Sequence, residues 1–546
     1  MRRKKVRLIS AGVLLALAAA AIITAVLVGS RSRMGLSLVR TGEPEAIRRE
    51  EDRKNTLVAA CDNMEGILNP IYATMGGDAI INSIIYEPLA KRDEKGRWQN
   101  VLASSVTVSE DGSTYEIQVK EDIVFCDGTP MTAKDVLASV AGMCYRSAAN
   151  SLKDIYRNIK GMEDYAADRS RGIEGLELVD DRTVRIHFAV PSYDNIEILS
   201  TLIQKGDFAS FGAEGDPVAA LGSYRSVGIG TGAYMPEGMP SNTVVTLTAN
   251  PNYRGSIRDM QKVKFIYINY YDYPEYLKDS RVDVVLYNQY SELFDTIYGA
   301  KQYNVYEQPT DTIYYLAFNQ DKRGLSDARL RQAIYYGCDV EGLLNSRVRG
   351  KLVPARTPAI GGSVYEDTEK IPGRDVEKAR ELVKEFGDVE LTLPIIKGDD
   401  AMETVAEAFR KDMKEIGIDV DVVSYENSKS YLDSVIISQN FDVLLYSEPM
   451  KMNYESYAGL TVDRGSLPIG CSDVAYLEEI EKLKTIYEPE QGYAQFRRLN
   501  TMLAEAVPII PYGRGVNYIS VLSDLDGYTA NQFSIFLDGI EKIRVK

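Results

Sequence analysis

One stretch, Leu102 to Val136, restricts the fold of this 546-residue chain more than any other part of the sequence. It contains two runs of alternating apolar residues on either side of Asp111-Gly112-Ser113, a pattern that predicts a β-hairpin. The second run ends in Asp127-Gly128-Thr129-Pro130, and Thr132 follows in position to cap a helix. The stretch therefore predicts a small α+β unit in which a helix follows a hairpin.

The same stretch resembles the signature of the family-5 extracellular solute-binding proteins, the oligopeptide, dipeptide and nickel receptors of ABC importers. The family form is LA-x-S, then DG-x-T-Y, then an apolar strand with a basic residue at its end, then F-x-DG-x-P-[LM]-TA-x-DV. The residues that match are Ala103, Asp111, Gly112, Thr114, Tyr115, Lys120, Phe125, Asp127, Gly128, Pro130, Thr132, Ala133, Asp135 and Val136. Further segments resemble the family at Gly228–Tyr234, at Asp327–Ala333 and at Asp375–Gly387, so the resemblance extends from about Thr56 to the end.

The resemblance implies an α/β, two-lobed, periplasmic-binding-protein-like fold of type II with an accessory α/β domain. We call its parts lobe I (56–90, 212–308 and 512–546), the accessory domain (91–211) and lobe II (309–511). Hinges are expected near Gln308-Pro309 and Pro508–Pro511, where the chain crosses between the lobes.

Two short apolar segments, Val282–Tyr287 and Phe441–Tyr446, are near copies of each other (VDVVLY and FDVLLY). Continuous apolar runs of this length are typical of strands that are covered on both faces of a sheet. One such strand in each lobe fits two doubly wound sheets, although chance similarity of two buried strands is the alternative.

The amino terminus predicts a membrane anchor. Met1–Arg7 carries five basic residues, and Leu8–Val28 is an uncharged apolar run of 21 residues, long enough to cross a bilayer. Because the basic flank favours the cytoplasm, residues 1–30 are expected to form a cytoplasmic end followed by a transmembrane helix. The bulk of the chain is then expected on the outer face of the cytoplasmic membrane. Residues 31–55 are then expected to form a polar tether. A cleaved secretory signal is the alternative, but such signals have shorter apolar cores.

Composition argues against several classes of function. Residues after Lys54 carry 51 basic and 74 acidic side chains, a net charge of −23, which argues against a nucleic-acid partner. The five cysteines are widely spaced and His187 is the only histidine, so no metal site or metal cofactor is expected. No common catalytic motif is present, and an enzyme is therefore not expected.

The candidate ligand-binding residues form three groups. The first group comprises Tyr72, Thr74 and Met75, which follow the turn at Asn69-Pro70. They are candidates because the corresponding turn of the family points into the ligand cleft. Asn319 ends an apolar strand, where ligands bind in open α/β sheets. The last group follows the FDVLLY strand and comprises Tyr446, Glu448, Met450 and Asn453.

This last group departs from the family pattern. Many peptide receptors of the family carry W-x-x-D-Y here, and the aspartate neutralises the amino terminus of the peptide. Neither that tryptophan nor that aspartate is present, and a buried ammonium without a carboxylate is costly. Either Glu448 replaces the lost acid, or the ligand is an opine-like, sugar or other small polar solute.

The resemblance implies a monomeric receptor that captures a peptide or peptide-like solute and delivers it to ABC permease subunits in the membrane. The alternative is a membrane-anchored sensor that signals through a partner protein, and co-purification with permease subunits would separate the two.

Overall fold

The computed structural model describes residues 37–44, 47, 53, 55–61, 63–152, 154–168, 171–206, 228–288, 293–322, 324–344, 352–462, 467–529, 531–534 and 536–546. The predicted membrane-spanning segment Leu8–Val28 lies outside these residues. Within the described part of the chain, every helix is too short or too polar to cross a membrane.

The strands are numbered along the chain as β1 (Ser37–Arg40), β2 (Thr56–Ala60), β3 (Glu87–Pro88), β4 (Ala90–Arg92), β5 (Trp98–Asn100), β6 (Ala103–Val108), β7 (Thr114–Val119), β8 (Leu176–Leu178), β9 (Thr183–His187), β10 (Leu202–Ile203), β11 (Tyr234–Glu237), β12 (Val244–Ala249), β13 (Lys262–Ile266), β14 (Val284–Asn288), β15 (Tyr303–Phe318), β16 (Leu352–Pro354), β17 (Val389–Ile396), β18 (Ile418–Tyr425), β19 (Val443–Pro449), β20 (Ile509–Leu522), β21 (Leu525–Asp526) and β22 (Arg544–Val545).

The α-helices of the described residues are α1 (Gly76–Ile85), α2 (Ala133–Asn150), α3 (Met162–Ala167), α4 (Tyr273–Lys278), α5 (Phe294–Gly299), α6 (Ala328–Gly337), α7 (Val340–Leu343), α8 (Val376–Val383), α9 (Asp400–Ile416), α10 (Ser428–Tyr431), α11 (Tyr454–Gly459), α12 (Val474–Glu481) and α13 (Pro489–Ala506). A 3₁₀ segment, Tyr193–Ser200, and a π-helical segment, Leu432–Ile437, accompany them.

The hairpin and capped helix of the signature stretch are confirmed. Strands β6 and β7 pair antiparallel around Gly112, whose φ is 69°. The Thr132 side chain caps α2, and Asp135 completes the capping box by accepting a hydrogen bond from the Thr132 N–H at 2.8 Å. Strands β9 and β8 extend the sheet in the order β6-β7-β9-β8, and α2 packs on it.

A ten-stranded sheet joins the two lobes. Its order is β1-β15-β20-β14-β2-β13-β12-β11, with β16 paired to β20 and β19 paired to β15. The long strands β15 and β20 run through both lobes and pair antiparallel with each other. Their register is interrupted between Pro309 and Ile313, where the partner residues on β20 change from Val516 to Arg514. The predicted crossing at Gln308-Pro309 lies at this interruption. The other predicted crossing, Pro508–Pro511, lies at the start of β20, three or more residues before Arg514.

The tether prediction fails over Ser37–Arg40. These residues form the edge strand β1, paired antiparallel with β15. The Arg40 guanidinium donates to the carbonyl of Ala300 at 2.6 Å, and the Gly42 N–H donates to Asn304 Oδ1 at 2.9 Å. The segment therefore covers the open edge of β15, which would otherwise expose unpaired backbone groups.

The near-copies VDVVLY and FDVLLY supply β14 and β19, one in each lobe, and their aspartates make the same contacts. The Asp283 N–H donates to the carbonyl of Val58 at 2.7 Å, and Asp283 Oδ2 accepts from the Val58 N–H at 2.6 Å. In lobe II the Asp442 N–H donates to the carbonyl of Thr392 at 3.1 Å, and Asp442 Oδ2 accepts from the Thr392 N–H at 2.8 Å. Each aspartate therefore ties the start of its strand to a neighbouring strand in the same way.

Lobe II contains a βαβ unit. Strands β17 and β18 are parallel, and α9 connects them and packs against both. Asp399 caps α9 by accepting from two backbone N–H groups, and Gly417 ends the helix with a φ of 88°.

Three large apolar clusters and one small one, Ile71 with Ala138, form the core of the described residues. One fills lobe I between its sheet and α1, and a second lies between lobe II strands and the helices α6, α8 and α9. The third cluster contains residues of the accessory domain together with residues of lobe II, including Tyr115, Tyr193, Tyr365 and Phe496, and it also takes in Leu89 and Ala90 at the end of the first lobe I segment. The accessory domain therefore shares its core with lobe II.

Candidate functional site

The strand directions define which edges of the two lobes face each other. Strands β14, β2 and β13 are parallel to one another and antiparallel to β20, so they run in the same direction as β15, from lobe I toward lobe II. Strand β19 is antiparallel to β15 and runs from lobe II toward lobe I. The carboxyl ends of these strands therefore face across the junction, which is where ligands bind in open α/β sheets.

Tyr446 and Glu448 lie near the carboxyl end of β19, on one face of the strand because they are two residues apart. Tyr315 lies directly across from Tyr446 on β15, with ring centroids 5.7 Å apart. The Tyr315 hydroxyl donates to Glu448 Oε1 at 2.5 Å. Sequence analysis missed Tyr315, because it lies 133 residues from Glu448 and only the pairing of β15 with β19 brings it there.

Burial and the adjacent Glu448 carboxylate raise the pKa of the Tyr315 phenol well above its ordinary value, so Tyr315 remains a neutral donor. Burial and Glu448 likewise raise the pKa of Tyr446. Among the residues that the structure describes, no lysine or arginine forms an ion pair with Glu448. Glu448 is therefore a half-exposed carboxylate whose orientation is fixed by one phenol.

Met450 and Asn453 shape the turn after β19. Met450 is 1% exposed, and its N–H donates to the carbonyl of Asp311 at 2.8 Å. Asn453 caps α11 by accepting from the Ser456 N–H at 3.0 Å. Both residues are close in sequence to Glu448, but their contacts stabilise the turn and the start of α11.

Asn319 was expected at the edge of lobe II that faces lobe I, but the structure places it elsewhere. Because β15 runs away from lobe I, its carboxyl end lies at the far side of lobe II. Asn319 is 1% exposed there, and its amide donates to the carbonyls of Gln439 and Phe441 at 3.3 and 3.1 Å. Asn319 therefore holds the backbone just before β19. The expectation that it would face the ligand was wrong, because the direction of β15 cannot be read from the sequence.

Tyr72, Thr74 and Met75 lie in the turn between β2 and α1. The turn is held by Asn69, whose carbonyl accepts from the N–H groups of Tyr72 and Ala73 at 3.1 and 3.0 Å. Thr74 is exposed, Tyr72 is half-buried, and Met75 is the residue before α1. The turn packs against α2 of the accessory domain, where Ile71 and Ala138 form a small buried cluster with Tyr72 against it.

Asp194 is a second carboxylate near the turn after β19, and no sequence pattern marks it. Its two oxygens accept from the Tyr454 N–H at 2.8 and 3.1 Å. Burial, with a contribution from the nearby carboxylates of Glu197 and Glu455, raises the pKa of Asp194 to about 7. Asp194 belongs to the accessory domain and Tyr454 to lobe II, so this contact joins the two.

His187 lies in β9 of the accessory domain. One ring nitrogen lies 2.9 Å from Thr114 Oγ1 and the other lies 3.0 Å from Glu177 Oε2. Across the described ranges, no group of three histidine, cysteine or acidic side chains is arranged to hold a metal ion.

The chain is similar in sequence to known bacterial proteins. Residues 97–452 match the family described as "Bacterial extracellular solute-binding proteins, family 5 Middle". A putative ABC transporter peptide-binding protein of Brucella ovis is 26% identical over 329 residues, which are 59% of this chain and 58% of that relative. The nickel-binding periplasmic protein of Escherichia coli is 24% identical over 499 residues, which are 84% of this chain and 88% of that protein.

A solved structure of an ABC transporter substrate-binding protein from Sinorhizobium meliloti has a similar fold. Its TM-score is 0.68 at 18% sequence identity, and the superposition covers 90% of this chain and 100% of that one. The likeness shows the two-lobed α/β fold of type II periplasmic binding proteins.

Proposed function

Because this chain belongs to the bacterial extracellular solute-binding proteins of family 5, we propose that it captures a peptide or peptide-like solute between lobe I and lobe II. The chain then delivers the solute to the permease of an ABC importer. The family is one of receptors, not enzymes. The observation that carries the proposal is the pair of facing strand ends, with the Tyr315–Tyr446–Glu448 group on the lobe II side.

Glu448 is proposed as the anchor for a ligand ammonium. An ammonium enclosed between lobes loses its hydration and needs a carboxylate in exchange. Glu448 is half-exposed, and the Tyr315 hydroxyl orients it by occupying Oε1. Tyr446, which is 36% exposed, presents a ring beside the same carboxylate and can pack against the apolar part of a solute.

Mass spectrometry of what the purified protein releases on denaturation tests the proposal. We expect peptides or amino-bearing peptide-like molecules. The Glu448→Gln variant keeps the size of the side chain and removes its charge, and we expect it to bind the released solute more than tenfold more weakly, about 1.4 kcal/mol.

Glu390→Gln is the matched control, because Glu390 is an exposed glutamate of lobe II on β17, and its binding should equal that of the unaltered protein. Equal binding by the Glu448→Gln variant would remove Glu448 from the site. Release of sugars or other solutes without an amine would reject the peptide class.

Closure of the lobes is proposed to occur about the interruption in the β15–β20 pairing. Strands that pass between two lobes bend most easily where ladder hydrogen bonds are missing. Gly513 and Gly515 lie on β20 beside this point, and Pro309 on β15 has no N–H to donate to the ladder. The domain boundaries given from sequence remain part of this proposal.

The segment Leu8–Val28 is proposed to anchor the chain as a single-pass membrane protein with its bulk outside the cell. Support comes from its length and from its basic flank. Protease added to intact cells should then degrade the body of the protein, and extraction of the full-length chain should need detergent. Isolation of a mature chain that begins between Ala18 and Gly35 would contradict the anchor.

A further inference from the structure

The edge strand β1 is held in lobe I by more than its backbone pairing with β15. The Arg40 guanidinium donates to the carbonyls of Ala300 and Tyr303 at 2.6 and 3.3 Å. Its charge also lies 5.5 Å from the centre of the Tyr298 ring. Val39 packs against the lobe I core. Strand β1 is therefore a part of lobe I and not the end of a tether.

The residues that follow β1 keep the chain on lobe I. The Gly42 N–H donates to Asn304 Oδ1 at 2.9 Å, and the Glu43 N–H donates to the carbonyl of Lys301 at 2.7 Å. The backbone of Tyr303 lies so close to Gly42 that an added Cβ would come within 2.6 Å of the Tyr303 carbonyl carbon. Only glycine allows two backbones to approach in this way.

The direction of β1 determines where the chain enters the body of the protein. Because β1 is antiparallel to β15, which runs from lobe I toward lobe II, the first residue of β1 lies nearest the junction of the lobes. Ser37 is the partner of Glu307, and Glu448 is the partner of Ile313 on the same side of β15. Six residues of a strand span about 20 Å, so the chain enters lobe I within about that distance of the candidate site.

Few residues separate β1 from the proposed membrane anchor. Both Leu8–Val28 and residues 29–36 lie outside the described part of the chain. Whatever its conformation, a linker of eight residues, 29 to 36, reaches no further than about 29 Å. Had the tether extended to residue 55, its 27 residues would have reached roughly 100 Å.

The size of the body makes this difference matter. A compact chain of about 500 residues is roughly 60 Å across, about twice the reach of the short linker. The edge that carries β1 therefore cannot turn to the side of the body opposite the membrane. The net charge of −23 after Lys54 gives the body no attraction to anionic lipid, so the linker is what sets the orientation.

From the direction of β1 and the short linker, we propose that the β1 edge of lobe I faces the lipid surface and keeps the candidate site on the membrane-facing side. The receptor then hands a solute to the permease without leaving the membrane and without turning over. The proposal rests on the membrane anchor proposed above, and it adds which side of the body meets the lipid.

Energy transfer from the full-length chain to a lipid surface tests the proposal. Leu38 on β1 and Met239 before β12 are 52% and 91% exposed and lie at opposite edges of the ten-stranded sheet. Seven strand spacings, roughly 34 Å, separate these edges. Each residue is changed in turn to cysteine and labelled with a donor dye, in a Cys126→Ser background because the other native cysteines are buried. The chain is reconstituted into phosphatidylcholine vesicles that carry an acceptor dye on some headgroups.

We expect transfer from the Leu38 position to be at least twofold more efficient than transfer from the Met239 position. Equal transfer from the two positions, or stronger transfer from Met239, in chains that float with the vesicles would overturn the proposal and leave the anchor intact. Chains that do not float with the vesicles would overturn the anchor and the proposal together. No solute is needed, so the result is independent of which molecules mass spectrometry finds.

A longer linker separates the effect of linker length from contacts between the body and lipid. Insertion of 24 glycine and serine residues between positions 35 and 36 extends the reach to roughly 115 Å. The transfer efficiencies of the two positions should then become equal. An unchanged difference would show that contacts of the body with lipid set the orientation, and it would overturn the proposal.

A pair of glycine variants tests whether β1 is held in lobe I. Gly42→Ala places a methyl group against the backbone of Tyr303 and should speed tryptic cleavage after Arg40 at least tenfold. Gly373→Ala should leave the rate unchanged, because a Cβ there meets no atom within 4 Å. Cleavage after Arg40 that is as fast in the unaltered protein as in the Gly42→Ala variant would mean that β1 does not fix the start of the body, and the proposal would fail.

Discussion

Glu448 and Asp194 are two carboxylates near the turn after β19 that are held in different ways. Glu448 is half-exposed and is oriented by a phenol, which leaves its charge available to a ligand. Asp194 accepts backbone N–H hydrogen bonds in a more enclosed position, beside the like charges of Glu197 and Glu455. The first is the carboxylate that we propose for ligand binding, whereas the second is a structural contact whose strength depends on pH.

The Asp194→Asn variant should be more stable than the unaltered protein at pH 8, by about 2 kcal/mol. The pKa of Asp194 is about 7 in the folded chain against 3.8 for an ordinary aspartate. The folded state therefore binds the proton more tightly, and it gains stability as pH falls from 7 toward 4. Asparagine removes the charge and keeps an oxygen that accepts from the Tyr454 N–H.

Urea unfolding at pH 8 and at pH 4.5 measures this difference, which should be largest at pH 8 and several-fold smaller at pH 4.5. Asp419→Asn is the control, because Asp419 is exposed on β18, and it should show no such pH dependence. A variant that is less stable than the unaltered protein at pH 8 would mean that the charge of Asp194 contributes favourably.

Sequence was informative for single residues only where their contacts are local. Tyr446 and Glu448 could be placed on one strand face from their spacing. The partners Tyr315 and Asp194 lie 133 and 260 residues from the groups that they contact, and no local pattern encodes such pairings. Asn319 was misplaced for the same reason, because the direction of a strand is set by its partners.

Among the elements, the hairpin β6–β7, helix α2 and the β17–α9–β18 unit were predictable because each is built from neighbouring residues with clear capping or periodicity. The length of β20 was not predictable. Sequence indicates a strand only at Val516–Val521, since Pro511, Gly513 and Gly515 are poor strand formers. Pairing with β15, β14 and β16 extends the strand to Ile509–Leu522 nevertheless.

The Thr132→Ala variant tests the element on which the accessory domain is built. Thr132 caps α2 in a reciprocal pair with Asp135. Its loss should lower the free energy of unfolding by about 1 kcal/mol, measured by urea denaturation. Thr107→Ala changes an exposed threonine of β6 and should cost clearly less. Equal losses in the two variants would mean that the cap does not stabilise α2.

At the scale of the whole molecule, the structure describes all five cysteines, and none of them is in a disulfide. Four are buried, and Cys126 is half-buried with its thiol 3.7 Å from the carbonyl of Gly228. Burial raises the pKa of the Cys126 thiol, which lowers the fraction of reactive thiolate.

In the native protein we therefore expect at most one thiol to react with an aromatic disulfide reagent at pH 8, and slowly. All five should react in urea. The Cys126→Ser variant should show no native reaction and four thiols after unfolding. Rapid reaction of two or more thiols in the native protein would contradict the burial of the other four.

Strand β20 has a consequence for how the protein is made. It lies between β15 and β14 in lobe I and between β15 and β16 in lobe II, yet it begins only at residue 509 of 546. The part of the ten-stranded sheet in each lobe can close only after β20 has been synthesised, although domains usually fold as they emerge. A chain that threads through a translocation pore must stay unfolded during passage, and a central strand that follows more than 500 other residues delays folding of both lobes until that strand has passed.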